Sequence, residues 1–391
     1  MNLLPRIDAM NPHDEQMLFM LANVIEHGET RGDRTGDGTI SLFGDINSKF
    51  DLRLGFPAAT AKYLHFHSVK HELKWMLDGS TNIRYLKENK VRIWDEWVKP
   101  ETAEYRELQR HVREEMLAKK DPAYAKYLET LRQEMIEDGR NYEFVERIID
   151  GHLEKTGIPT KELIAGDLGP VYGSQWRFWP DTRTIPFNDW YSHESAWQEQ
   201  GYDDVAGSIH GMTINREIDQ IARIEQQLKD ERDFQNGKLA KHSAGRRIIL
   251  SGWNVAMVEE MALPPCHAFA QWYVSTSKCE KGLNYLDCKL YMRSNDLGLG
   301  KPFNVAQYAL LTHMFAHVHG FTPRYYFHSV GDAHIYLKHM DAVQEWLERP
   351  THAAPTLKIK GEYSSILDIP ANAITLEGYH HSGKLDMEVS V

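Results

Sequence analysis

Cysteine is scarce in this chain, long apolar runs are missing, and positive charge is in deficit. Cys266, Cys279 and Cys288 are the three cysteines of 391 residues, too few for a disulfide framework, so a reducing compartment fits and cytoplasm is the default. No stretch reaches the ~20 apolar residues that a membrane span needs. The beginning carries Asp8 and Asp14 with no basic region leading into an apolar one, so neither export nor anchoring is expected. A formal net charge of −11 argues against general affinity for nucleic acid or anionic membrane. An anionic small molecule would need a local arginine cluster.

What is present is ordinary globular material. Hydrophobic residues make up 42% and charged ones 26%, enough to bury a sizeable core in one large domain or two. Met17, Leu18, Leu21, Val24 and Ile25 recur at helical spacing and predict an amphipathic helix over Asp14–His27. Gly32, Gly36 and Gly38 then punctuate a loop holding Arg34, which leads into alternating residues from Thr39 to Phe43. That loop is either a plain hairpin connector or a backbone cradle whose arginine suits a phosphate. From His65 to Leu86 the pattern predicts a helix ended by Gly79 and restarted after Ser80-Thr81-Asn82. His67 and His71 lie four apart in it, but no carboxylate-histidine signature completes a metal site, and no metal is expected. Glu72, set among Leu73, Trp75, Met76 and Leu77, is either a surface charge or a desolvated acid able to donate or relay a proton. Trp94 and Trp97 offer flat apolar faces, to a core or to a fused-ring ligand.

Residues 98–165 are rich in Glu, Lys and Arg and predict a small helical insertion with solvated faces. A second insertion, 180–211, is polar and aromatic without recognisable chemistry, and Ile218, Ile221, Ala222, Ile224 and Leu228 predict another helical stripe. The central stretch runs from Met261 to Asn304: Cys266 follows Pro264-Pro265, a β-rich ribbon comes next, and then Arg293-Ser294-Asn295-Asp296, a glycine turn and Pro302-Phe303-Asn304. Antiparallel strands lie side by side, so a cysteine entering the first and an arginine leaving the second can meet. A thiol becomes a strong nucleophile as thiolate, and Arg293 or His267 could lower its pKa. The run after Asn304 predicts an apolar helix closed by Gly320. His334 and Tyr336, two apart on a strand, project to one side.

These stretches, with Asp33-Arg34-Thr35-Gly36, His71-Glu72-Leu73, Ile93-Trp94-Asp95, Gly166–Gly173, Gln175-Trp176-Arg177, Arg246-Arg247-Ile248 and Gly331–Tyr336, are co-linear with the motifs of a family that the chain resembles, thymidylate synthase. The resemblance implies an α/β fold of the α+β type, with a large mixed sheet covered by helices and carrying the dimer interface. Residues 1–97 and 166–391 would form the catalytic domain, interrupted by the two insertions. It further implies reductive methylation of dUMP at C5 by 5,10-methylenetetrahydrofolate, giving dTMP and dihydrofolate. Cys266 would add to C6, with Glu72, Tyr172, Arg293, Asp296 and Asn304 in catalysis. Arg34, Ser294, Asn304, His334 and Tyr336 would bind substrate, joined by Arg246 and Arg247 from the twin subunit of a homodimer. Trp94, Asp296, Gly300, Phe303 and Ser390 would meet the folate. Asn304 stands where cytosine-using relatives have aspartate, and so points to dUMP. Met292, Asn295 and the tail around His380-His381 depart from the usual pattern and are compatible with a dUMP hydroxymethylase, in which water captures the exocyclic methylene. A non-catalytic nucleotide-binding paralogue is the reading from another class, opposed by the retained Cys266, Glu72, Tyr172 and arginines.

Overall fold

The structure is a computed structural model that describes residues 11–32, 36–98, 103–156, 166–208, 211–240, 245–277 and 283–390. The chain forms two compact units, one of Met1–Ser80 with Pro170–Val391 and one of Thr81–Gly169.

In the larger unit, six strands make a mixed sheet in the order β1-β2-β9-β8-β7-β6. They are β1 (Glu29–Arg31), β2 (Thr39–Asp51), β6 (Ile248–Ser251), β7 (His267–Thr276), β8 (Asn284–Asp296) and β9 (Thr322–Tyr336). Every pairing is antiparallel except β8 with β9. Two parallel neighbours need a crossover, and the helix Gly300–His319 supplies it. That helix is apolar around most of its circumference, so it can only be stable inside, with Leu310, Leu311 and Phe315 fully buried. Each such side chain contributes about 1.5–3 kcal/mol by leaving water. Gly320 ends it in the left-handed region at φ 73°, a conformation that favours glycine. The sheet's other face is half open: along β7 burial alternates, and Phe269 and Tyr273 point outward.

The N-terminal helix spans Pro12–His27, capped by the Asn11 side chain on His13 N–H. The helix containing Glu72 runs Phe66–Leu77, and the restart after Gly79 is Arg84–Glu88. The stripe at Ile218 is corrected in part: Ile218 closes β5 (Gly211–Ile218), Asp219 caps through Ala222 N–H, and the helix proper is Gln220–Gln235. The second insertion is an ordered subassembly. β3 (Trp179–Ile185), β5 and β4 (Asp203–Ser208) form a small antiparallel sheet, and with the helix Phe187–Glu199 they enclose Ile185, Trp190, Tyr202, Met212 and Ile214.

Besides the short helix Arg84–Glu88, the described part of the smaller unit holds three longer helices, Ala103–Lys120, Pro122–Glu137 and Tyr142–Lys155. They pack around Leu117, Leu128, Val145, Ile149 and Leu153. Among the described residues, no helix is long and apolar enough to cross a membrane.

Candidate active site

The β7–β8 hairpin performs the juxtaposition that the ribbon pattern predicts. Cys266 lies just before β7, and Arg293 N–H donates to the Cys266 carbonyl at 2.9 Å. The Arg293 guanidinium donates to the carbonyls of Pro265 (2.9 Å) and Pro264 (2.8 Å) and comes within 3.8 Å of the Cys266 sulfur. A proline pair donates no N–H but leaves two carbonyls, and here both are tied to the arginine that faces the thiol. The Cys266 N–H donates to the Tyr172 hydroxyl at 2.9 Å. Tyr172 is buried at the start of the short helix Tyr172–Arg177 and stacks on His267, rings 4.0 Å apart and 12° from parallel.

The electrostatics correct one expectation. Although the residue stays partly exposed, its packed surroundings desolvate the sulfur, and that burial pushes the thiol above its ordinary range while Arg293 opposes the rise. His267 gives no help. Burial holds it neutral, with its pKa down to about 3, and its Nδ1 faces the Tyr308 hydroxyl at 2.8 Å. The other two thiols differ: Cys288 is buried in β8 with its pKa pushed up to about 12, and Cys279 lies outside the described residues.

Glu72 is buried at 9% exposure, and Gln307 from the crossover helix donates to its Oε2 at 3.2 Å. One turn earlier on the same helix sits Asn304, whose Oδ1 accepts from Asn295 Nδ2 at 2.9 Å. Asp296, the last residue of β8, accepts at Oδ1 from the N–H groups of Gly298 (2.8 Å) and Leu299 (3.2 Å). That turn shapes the Gly298–Gly300 backbone. A Cβ on Gly300 would stand 3.5 Å from Asn304 Oδ1, which brings the main chain close to that amide. Phe303 is half-buried beside it in sequence. Ser294 Oγ donates to Asp332 at 3.4 Å.

His334 and Tyr336 do share one side of β9, with their rings 5.2 Å apart and edge-on. His334 Nδ1 is 3.2 Å from Asp332 Oδ2, in ion-pair range but off the line of a hydrogen bond. Burial opposes a charge on His334, yet Asp332 and Asp296 outweigh it and raise its pKa. Arg246 and Arg247 are exposed just ahead of β6; the carbonyl of the first is held by Gln271 and that of the second by Gln227. Ser390 Oγ makes no hydrogen bond among the described residues. Trp94 belongs to the smaller unit, where it is buried and packs edge-on to Trp97. Arg34 lies outside the described residues.

Several groups around this site escape sequence reading. Lys62, 5% exposed, donates to the Gly298 carbonyl at 2.6 Å and approaches Met387 of the tail. Its burial brings its pKa down to about 8 against the pull of Asp296. Lys301 is 1% exposed with no hydrogen-bond partner for Nζ among the described residues, and burial lowers its pKa well below the lysine range. Gln307 carries only a weak signal, a second amide after Asn304 in a mostly apolar helix. The lysines carried no such signal, since a lysine in sequence reads as solvated.

Taken together, a desolvated thiol is set against an arginine, with a buried carboxylate, a tyrosine hydroxyl and a side-chain amide gathered on the surrounding elements. That arrangement suits nucleophilic addition to an electrophilic carbon, with proton transfers beside it. The family model described as thymidylate synthase matches residues 15–391, nearly the whole chain, and the chain therefore belongs to the thymidylate synthase family.

Proposed function

We propose that this chain is a thymidylate synthase in the strict sense, converting dUMP and 5,10-methylenetetrahydrofolate to dTMP and dihydrofolate. The family binds dUMP and folate, and its chemistry is one-carbon transfer. The observation that supports a thiolate addition is the contact between Cys266 and Arg293 on the hairpin. Uracil C5 is a poor nucleophile until a thiolate adds to C6. Cys266 makes that addition, and Asn304 and Glu72 stabilise charge on the ring. The Tyr172 hydroxyl assists departure of the C5 proton. Arg293 serves two ends, bracing the Pro264-Pro265 turn and opposing the desolvation that keeps the sulfur protonated. Arg34, Ser294 and Arg293, with Arg246 and Arg247 of a second copy, hold the phosphate and pin C6 against the sulfur. His334 and Tyr336 grip the sugar hydroxyl.

The residues fit a folate on the adjacent side. The Asp296 turn and the Gly298–Gly300 backbone offer polar edges, Phe303 an apolar face, and Lys62 ties that loop to the tail. Bound there, the folate supplies the one-carbon unit and then the hydride. Ser390 completes its surroundings.

The second copy is favoured by the open sheet face. Phe269 and Tyr291 pair across β7 and β8 and are 40% and 42% exposed, with Tyr273 beside them at 49%. Aromatic side chains left on a sheet face mark an interface, and a homodimer covers it with a second copy. The compartment is the cytoplasm.

Incubation of the full chain with dUMP and methylenetetrahydrofolate tests the reading. Dihydrofolate absorbance should rise and the product mass should show a methyl at C5. A hydroxymethyl product with tetrahydrofolate would replace this proposal with the hydroxymethylase. Mixing a Cys266→Ser chain with an Arg247→Glu chain should restore part of the activity that each lacks alone; no restoration would remove the shared site.

A further inference from the structure

We propose that Asn295 sets the pyrimidine preference of the site by fixing the direction of a buried hydrogen-bond relay that ends on Asn304. The inference rests on the reading that Asn304 faces the substrate ring.

The relay has four members. The Tyr326 hydroxyl meets His328 Nδ1 at 2.7 Å, His328 Nε2 meets Asn295 Oδ1 at 3.2 Å, and Asn295 Nδ2 meets Asn304 Oδ1 at 2.9 Å. Tyr326 and His328 are fully buried and Asn295 is 3% exposed. Only one direction satisfies every atom. Tyr326 O–H donates to Nδ1, the Nε2–H tautomer of neutral His328 donates to Asn295, and Asn295 donates onward to Asn304. Run backwards, His328 Nδ1–H would donate to Tyr326, whose hydroxyl proton would then have no acceptor. Among the described residues that hydroxyl bonds His328 alone. An unpaired donor at full burial is disfavoured by roughly tenfold or more.

The consequence falls on Asn304. Its oxygen is engaged by the protein, and its Nδ2 bonds nothing among the described residues, so the two N–H groups are left for the ring. An amide that presents N–H accepts a 4-oxo pyrimidine and rejects a 4-amino one. The remaining lone pair on Oδ1 can still take N3–H. Asn295 touches no substrate in this scheme; it is a positioning residue, and its amide has the polarity needed because it accepts from His328 on one side and donates on the other. A carboxylate at 295 would accept on both sides and turn the Asn304 oxygen toward the ring.

The experiment measures kcat/KM for dUMP and for dCMP, with methylenetetrahydrofolate, in the wild type, Asn295→Asp and Tyr326→Phe, and KM and kcat separately for each. Asn295→Asp should reduce the dUMP-to-dCMP ratio by about tenfold or more. Tyr326→Phe, which removes the terminal donor with little change of shape, should reduce it by a smaller factor. A ratio unchanged in a folded Asn295→Asp overturns the proposal, since a general loss of packing lowers both rates together. If Asn295→Asp does not fold, Tyr326→Phe decides by the same criterion. Failure of the wild type to act on dUMP at all would instead overturn the reading of the site on which the proposal rests.

Discussion

The helical unit and the catalytic hairpin bury charge in opposite ways. In the helices Ala103–Lys120, Pro122–Glu137 and Tyr142–Lys155, Glu146 is 4% exposed but lies between two arginines, 3.0 Å from Arg110 and 2.9 Å from Arg132. Arg110 also forks onto Asp150 with two contacts of 2.8 Å, and Arg132 reaches Glu114. Among the described residues there, the buried charge of Glu146 is met by opposites. Around the candidate site the reverse holds: Lys301 Nζ has no hydrogen-bond partner among the described residues, Lys62 is bonded by a carbonyl rather than a carboxylate, and the Cys266 thiol is pushed up with one guanidinium opposing. Compensated charge serves a fold, because removing one partner is costly. Uncompensated, desolvated groups are kept neutral and reactive, which is what proton transfer and nucleophilic addition require.

The largest loss is expected at the sulfur. Cys266→Ser should lower dTMP formation by about 10⁴-fold or more, as loss of a covalent nucleophile does elsewhere, with an unchanged circular dichroism spectrum. A smaller loss would mean that the sulfur is not the nucleophile. In the helical unit, Glu146→Ala should leave Arg110 and Arg132 facing a void and destabilise those helices by about 3–5 kcal/mol. Hydrogen exchange should then speed up in 110–155 of the full chain, while dUMP turnover changes little. Equal protection in both proteins would mean that the network is ornamental.

A milder effect of opposite sign is expected at Lys301. Its folded pKa is depressed, so the unfolded chain binds more protons and stability rises with pH until the ordinary lysine value is passed. Lys301→Met should therefore stabilise the chain at neutral pH by about 1–3 kcal/mol and lose that advantage toward pH 10.5. Denaturant titrations at the two ends of this range measure both. Last comes the thiol itself: iodoacetamide should label Cys266 slowly at neutral pH and faster as pH rises beyond the usual thiol range, and Arg293→Gln should move the midpoint higher still. A midpoint below the ordinary thiol range would contradict the desolvation seen around the sulfur.

Much of this is legible along the chain. The β-rich ribbon after Cys266 and the apolar run after Asn304 point to a strand pair and a buried helix, and an antiparallel hairpin then brings Cys266 and Arg293 together. The pairing of Glu72 with Gln307 is not legible, because 235 positions separate them and neither carries a periodic signal. Ile218 reads as helical because an apolar residue at a strand's end has the same spacing as one at a helix's start. His267 next to the cysteine reads as a cation, but neighbours from the Tyr172 helix and the crossover helix enclose it and make it neutral.

By itself, then, the sequence determined the family, the strand and helix periods, and the roster of reactive side chains, since these follow from local pattern and residue chemistry. Only the tertiary structure decided which ionisable groups lose their water, which atoms the Asn304 amide meets, and that Lys301 is enclosed. Desolvation and hydrogen-bond direction depend on atoms contributed by distant segments, and those exist around a residue only once the chain has folded.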